Sequence, residues 1–148
     1  MRFYPDFMPP FEYEPTTDRF EIRSIDGNKG QGAVALVEFQ PGDIVFRFSG
    51  FFTNEITQFT LQYQPGIHIH DPYFMGKVLH SCDPNMWCDM PTRTFIATRR
   101  ILPGECITMD YEQTEDVLFR AFECGCGAPS CRGLIQGWLV STAMRVAS

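Results

Sequence analysis

No apolar run in this chain goes far before glycine, proline, aspartate or asparagine interrupts it. Twelve Gly and eleven Pro are spread over 148 residues. The segments between them are short and rich in β-branched and aromatic residues: FEIRSI, AVALVEF, IVFRFSG, QFTLQY, IHIHD, NMWCDM, TFIATR and CITMDY. Runs of this kind, bounded by turn formers, read as strands of a compact β-fold. The turns have a mechanism. In DGNKGQGA, QPGD and LPGE glycine supplies positive φ and proline fixes the entry to the turn. Helical spacing is weak until LIQGWLVSTAMRV, where apolar residues recur roughly every third or fourth position. The expectation is one mostly β domain, with a short C-terminal helix or tail over 136–148.

The length is enough for one core and too short for two domains. The opening stretch MRFYPDFMPPFEYEPTTD mixes aromatics, prolines and acids without a period, so residues 1–19 read as an extended arm laid on the domain or on a partner. A homodimer through this arm is a candidate assembly. The net charge of −6 argues against direct nucleic-acid binding, which relies on neutralising phosphates with Lys and Arg, and it suits a cationic partner. MRFYPDFMPP has no continuous apolar core of the kind a signal peptide needs. The most apolar stretch, IVFRFSGFF, is short and broken by Arg47, so no membrane span is expected. On that basis the six cysteines are expected to be reduced, in an intracellular compartment, which favours metal binding or burial over disulfides.

The cysteines are not evenly placed. Cys124, Cys126 and Cys131 lie within CGCGAPSCRG, a Gly/Pro-rich loop that can fold its thiols onto one ion. Tetrahedral zinc takes four N or S ligands, so this cluster is one short. Cys82, Cys88, Cys106 and the three histidines are the candidates for the fourth. Cys88 and Cys106 sit in apolar runs and read as core residues, whereas Cys82 sits on a tight turn in LHSCDPN. That turn needs Asp83, Pro84 and Asn85. It does not need His80 or Cys82, which therefore point to chemistry. His68 and His70, two apart on a strand, read as satisfied or exposed side chains rather than a second metal site.

In chain order, GNKGQGAVALVEFQPGDIV, LHSCDPN, LPGECITMDY and CGCGAPSCRG resemble the SET-domain protein-lysine methyltransferases that carry a cysteine-rich post-SET tail. The resemblance runs over residues 20 to 135. It implies the SET fold, small β-sheets around a knotted cofactor and active-site segment, with a SET domain over 20–119 and a zinc-binding post-SET segment over 120–135. It also implies S-adenosylmethionine as cofactor, met by the glycine loop (Lys29, Gly30, Gln31, Gly32) and by Leu79 and His80. The adenine cover falls to Leu134 as first choice and Phe122 as second. Tyr111 takes the catalytic place, and a structural zinc is implied at Cys82, Cys124, Cys126 and Cys131. The implied substrate is a lysine side chain of a basic protein or peptide.

Physical reasoning fits this reading. Methyl transfer to an amine is an in-line displacement, so alignment supplies much of the acceleration, and an apolar channel lowers the amine pKa. Three departures stand out. Leu79 replaces the family's asparagine, Met109 stands two residues before Tyr111 where an aromatic is usual, and the span from Phe52 to Gly76 leaves a minimal substrate-facing insert. Two other readings follow from them: a degenerate module that binds cofactor or peptide without turnover, and a methyltransferase acting on a small-molecule amine.

Overall fold

The computed structural model describes residues 1–25 and 30–140. Lys29 and the end of the expected C-terminal helix, 141–148, lie outside them. Strands β1 (Phe20–Ile25) and β2 (Gly30–Ala35) form an antiparallel pair in which Phe20 faces Ala35 and Ile25 faces Gly30. A second sheet has the order β3 (Ile44–Arg47), β9 (Thr94–Ala97), β8 (Met86–Asp89). A third has the order β4 (Phe51–Thr53), β6 (Ile67–His70), β5 (Thr60–Gln64). Two short pairs complete the fold. β7 (Leu79–His80) lies parallel to β10 (Thr108–Met109), and β11 (Phe122–Glu123) lies antiparallel to β12 (Leu134–Ile135). The mostly β expectation holds.

The core between the sheets is phenylalanine-rich. Phe46 stacks on Phe95 with centroids 4.7 Å apart and meets Phe74 edge-on at 4.9 Å; Phe20 meets Phe74 at 5.1 Å. These rings are essentially buried, and each contributes roughly 1.5–3 kcal/mol of hydrophobic stabilisation. Tilted and edge-on contacts add to that.

The N-terminal arm lies on its own domain. Tyr4 and Met8 are buried, Phe3 packs on Phe74 at 5.0 Å, and the Tyr13 carbonyl accepts from the Arg47 amide. Tyr4 donates its hydroxyl to Asp71 at 2.6 Å. The same carboxylate accepts the amides of Tyr73, Phe74 and Met75, so one buried aspartate pins the arm and the 3-10 turn at Met75–Lys77.

Three local expectations are corrected. CITMDY was expected to be one strand ending in Tyr111, but the strand stops at Met109. Asp110 then caps a single helical turn, α1 (Tyr111–Thr114), its side chain accepting from the Glu112 amide, a strong preference of aspartate at this position. Gly30 and Gly32, expected in a loop, belong to β2. Gly30 opens the strand at φ 69°, and a Cβ on Gly32 would sit 2.8 Å from Leu79 Cδ1. Lastly, LIQGWLV is not continuous helix. Leu134–Ile135 is a strand, Gly137 turns the chain at φ 103°, and helix begins only at Trp138. The Glu112 carboxylate imposes this by accepting the amides of Gln136 and Gly137 at 3.1 and 3.0 Å.

Candidate active site and thiol cluster

The site is organised by the parallel pairing of β7 and β10. Leu79 lies beside Thr108 and His80 beside Met109, and the Ser81 amide continues the ladder to the Met109 carbonyl at 2.9 Å. Asn85 locks this crossing. Its side chain accepts from the Thr108 amide at 2.8 Å and donates to the Cys106 carbonyl at 2.9 Å. The LHSCDPN segment is thereby stitched to the segment that delivers Tyr111.

His80 couples the two halves of the site. The Tyr111 amide donates to Nδ1 at 3.0 Å, which leaves the ring proton on Nε2, facing Cys82 Sγ at 3.4 Å. Burial pulls the His80 pKa down to about 4, against the opposing pull of Asp110, so the ring is neutral near pH 7. A neutral ring with a fixed tautomer is the usual way an imidazole orients a neighbouring ligand atom.

Tyr111 donates its hydroxyl to the Val78 carbonyl at 2.6 Å. Burial, aided by the charge of Glu115, pushes the phenol up, so it stays protonated and serves as a donor rather than a base. Its ring packs against His80 (5.2 Å) and Phe122 (5.9 Å). Three cavities share Tyr111 as a wall. The first, of 240 Å³, is largely apolar, with Leu61, Met75, Val78, Met109, Phe119 and Phe122 beside Glu115. The second, of 330 Å³, is bordered by Gly30, Gln31, Gln58, Lys77 and Leu79. The third, of 490 Å³, is bordered by Leu79, His80, Phe122 and the segment 123–126. Gly30, Gln31, Leu79, His80 and Phe122 therefore converge around Tyr111, and Gly32 supports Leu79 from behind. Leu134 does not join them: it lies on β12, half-exposed, and is not a lining residue of these cavities.

The thiols of Cys82, Cys124, Cys126 and Cys131 lie within 4.8 Å of one another. Four converging sulfur donors match the ligand number and type of a closed zinc site. Burial pushes the Cys124 thiol up to about 12, while the Ala128 amide pulls Cys126 down to about 6. Cys88 is buried in the core as expected, and Cys106 is half-buried; neither reaches the cluster. His70 meets the Thr57 hydroxyl, and His68 is buried on β6.

Residues that sequence reading passed over complete the site. Arg132 donates to Asp110 at 2.6 Å, lies 3.6 Å from Glu112, and turns its amide onto Cys82 Sγ at 3.4 Å. It thus ties the cysteine loop to the turn that begins at Tyr111. Lys77 and Gln58 line the second cavity, and Glu115 lines the first. The run Gly76-Lys77-Val78 directly before LHSCDPN was the available signal for Lys77; Glu115 had none beyond its place four residues after Tyr111.

Residues 30–112 match the SET domain family. The chain belongs to that family. Among curated proteins, Methyltransferase flvH of Aspergillus flavus is 32% identical over 83 residues, 55% of this chain and 47% of that protein, so the match spans about half the length of that relative. Among solved structures, KRYPTONITE in complex with mCHG DNA and SAH is similar at a TM-score of 0.65 and 19% identity, over 85% of this chain and 30% of that one. The methyltransferase domain of human histone-lysine N-methyltransferase SETMAR follows at 0.64 and 18%, over 80% and 58%. KRYPTONITE with mCHH DNA, H3(1-15) peptide and SAH gives 0.62 and 21%, over 78% and 29%. At these identities the likeness speaks for the SET fold.

Proposed function

We propose that this chain transfers methyl groups from S-adenosylmethionine to the side-chain amine of a lysine in a basic protein or peptide. The observation that carries the reading is the position of the Tyr111 hydroxyl, a half-buried donor on the wall between an apolar channel and two cavities bordered by Gly30, Gln31, Leu79 and His80. The SAH in KRYPTONITE complexes and the H3 peptide in one of them support the same cofactor and substrate class here. S-adenosylmethionine would supply an activated methyl on a sulfonium.

The chain's own residues would do the rest. Gly30 and Gln31 would present backbone to the cofactor's amino-acid end, with Lys29 beside them in sequence. Lys77 and Gln58 offer the polar groups that Leu79 lacks. His80 and Phe122 would bound the adenosine side; Leu134 stands on the paired strand. Tyr111 would hold the amine in line through its hydroxyl, and the apolar channel would disfavour the ammonium form. Cys82, Cys124, Cys126 and Cys131 would hold a structural zinc that fixes the tail. The SET domain would then run over 20–119 and the zinc segment over 120–135.

Incubation with methyl-labelled S-adenosylmethionine, H3(1–15) peptide and a cell extract tests the reading. Label on protein lysine is expected. Label only in small molecules would assign the acceptor to free amines, and no label in either fraction would make the chain a binding module.

A further inference from the structure

Glu115 closes the turn that begins at Tyr111, its amide donating to the Tyr111 carbonyl at 2.9 Å. The residue is only 4% exposed, yet it borders the apolar 240 Å³ cavity together with Tyr111, Met109 and Phe122. Its Oε2 accepts the Gln62 amide proton at 2.7 Å. A carboxylate has about four acceptor positions, so capacity remains. Among the described residues no salt bridge involves it. A buried carboxylate without a cation is costly. Here it stands in a channel whose proposed visitor is an ammonium.

We propose that Glu115 accepts the proton that the substrate ammonium must lose before it can be methylated. The inference rests on the lysine methyltransferase reading above. In the step, an N–H bond of the ammonium breaks, an O–H bond forms on the Glu115 carboxylate, and the electron pair stays on nitrogen. Ammonium and carboxylate become amine and carboxylic acid, with no other reactant required. The amine is then free to attack, held by the Tyr111 hydroxyl.

The surroundings favour this exchange. Burial raises the Glu115 carboxyl to about 7, reinforced by the charge of neighbouring Asp116, and the same apolar setting lowers the pKa of an amine inside it. A general base works best when its pKa lies near the working pH. The other titratable groups facing Glu115 are the Tyr111 phenol and the Cys88 thiol, both pushed up and so neutral, with Arg120 on the cavity wall. Neither neutral group competes for the proton.

The test is kcat/KM for methyl transfer from pH 6 to 10, with S-adenosylmethionine and the H3(1–15) peptide, or polylysine should the peptide not react. Wild type is expected to rise through about pH 7, where the carboxylate forms, and then to level. Glu115→Gln keeps an oxygen for the Gln62 amide but cannot take a proton. It should lose about a hundredfold near pH 7.5, keep its affinity for S-adenosylmethionine, and climb steadily with pH as free amine appears in solution. Wild-type turnover with an identical pH profile in Glu115→Gln, or a lower Tm with that profile unchanged, would overturn the proposal and leave the transferase reading intact. No transfer by wild type to either acceptor would remove both. If Glu115→Gln does not fold, the wild-type profile decides: a rate still rising tenfold per pH unit to pH 10 means the amine arrives already neutral, and the proposal fails.

Discussion

Tyr111 is held at both ends, its amide by His80 Nδ1 and its hydroxyl by the Val78 carbonyl. Removing the hydroxyl leaves the ring between His80 and Phe122, so Tyr111→Phe should fold, at a cost of about 1 kcal/mol for the lost hydrogen bond. S-adenosylmethionine affinity should stay within a few-fold while methyl transfer falls about tenfold or more, the mark of a contact made mainly in the transition state. Calorimetry beside a turnover assay checks this, and full transfer by the Phe variant would take Tyr111 out of the mechanism. A second residue prediction concerns Gly32. An added methyl would lie 2.8 Å from Leu79 Cδ1. Because leucine is flexible there, Gly32→Ala should fold while driving Leu79 toward the two cavities it borders. Cofactor affinity is expected to drop about tenfold, a penalty near 1.4 kcal/mol, and calorimetric titration reads it. At this scale His80 and Cys82 stood out because the turn they sit on needs neither, whereas Tyr111 and the choice of Cys82 as fourth thiol stood out only through the resemblance of the motifs in chain order. Glu115 did not. Nothing in EQTED sets it apart from the acids around it, and only burial gives a carboxylate its meaning.

Among the elements, the antiparallel strands of four or more residues were visible because alternation and turn residues are local properties, whereas the two-residue β11 and β12 were not. The β7–β10 pair was not, because two-residue parallel strands leave no period and depend on partners distant in sequence, here fixed by Asn85 to Thr108 and Cys106. The break in the C-terminal helix has the same origin: the period of LIQGWLV is real, but the Glu112 carboxylate claims the amides of Gln136 and Gly137. Gly137→Ala should therefore be destabilising on two counts. Its φ of 103° disfavours any side chain, and the added Cβ would lie 2.4 Å from the Asp116 carbonyl oxygen, which is backbone and cannot step aside. The tail over β12 is expected to detach, seen as faster proteolysis after Phe122; a tail as protected as in wild type would contradict that account. The arm makes a parallel case. Tyr4→Phe removes the bond to Asp71 and the long contact from the Ser49 amide and should cost about 1–2 kcal/mol, whereas Asp71→Ala leaves three amides without their acceptor and should cost about 3 kcal/mol or more. Denaturant titration of the two variants measures that ordering.

Across the whole molecule, the tail and the domain are joined at the same place where the candidate chemistry lies. Cys82 comes from the LHSCDPN segment and the other three thiols from the loop after β11. Arg132 bonds both Asp110 and Cys82 Sγ, and His80 stands between Cys82 and Tyr111. Metal at these thiols would therefore fix Phe122 and the floor of the third cavity as well as the loop itself. Protein purified without added metal is expected to carry about one zinc per chain. Cys131→Ser should lower that content sharply and expose the tail to protease, because ligation at such sites contributes directly to folding. Cys88→Ser, in the core and away from the cluster, should keep its zinc although it loses stability. Loss of zinc in the core variant with retention in Cys131→Ser would place the metal elsewhere. The coupling makes a further demand that the metal count alone does not: S-adenosylmethionine affinity, measured by calorimetry, should fall in Cys131→Ser even though Cys131 touches none of the three cavities. Among the described residues the tail reaches them through Arg120, Phe122, Glu123 and Cys124–Cys126. Unchanged affinity after zinc loss would mean that β11 holds its position by pairing with β12 alone.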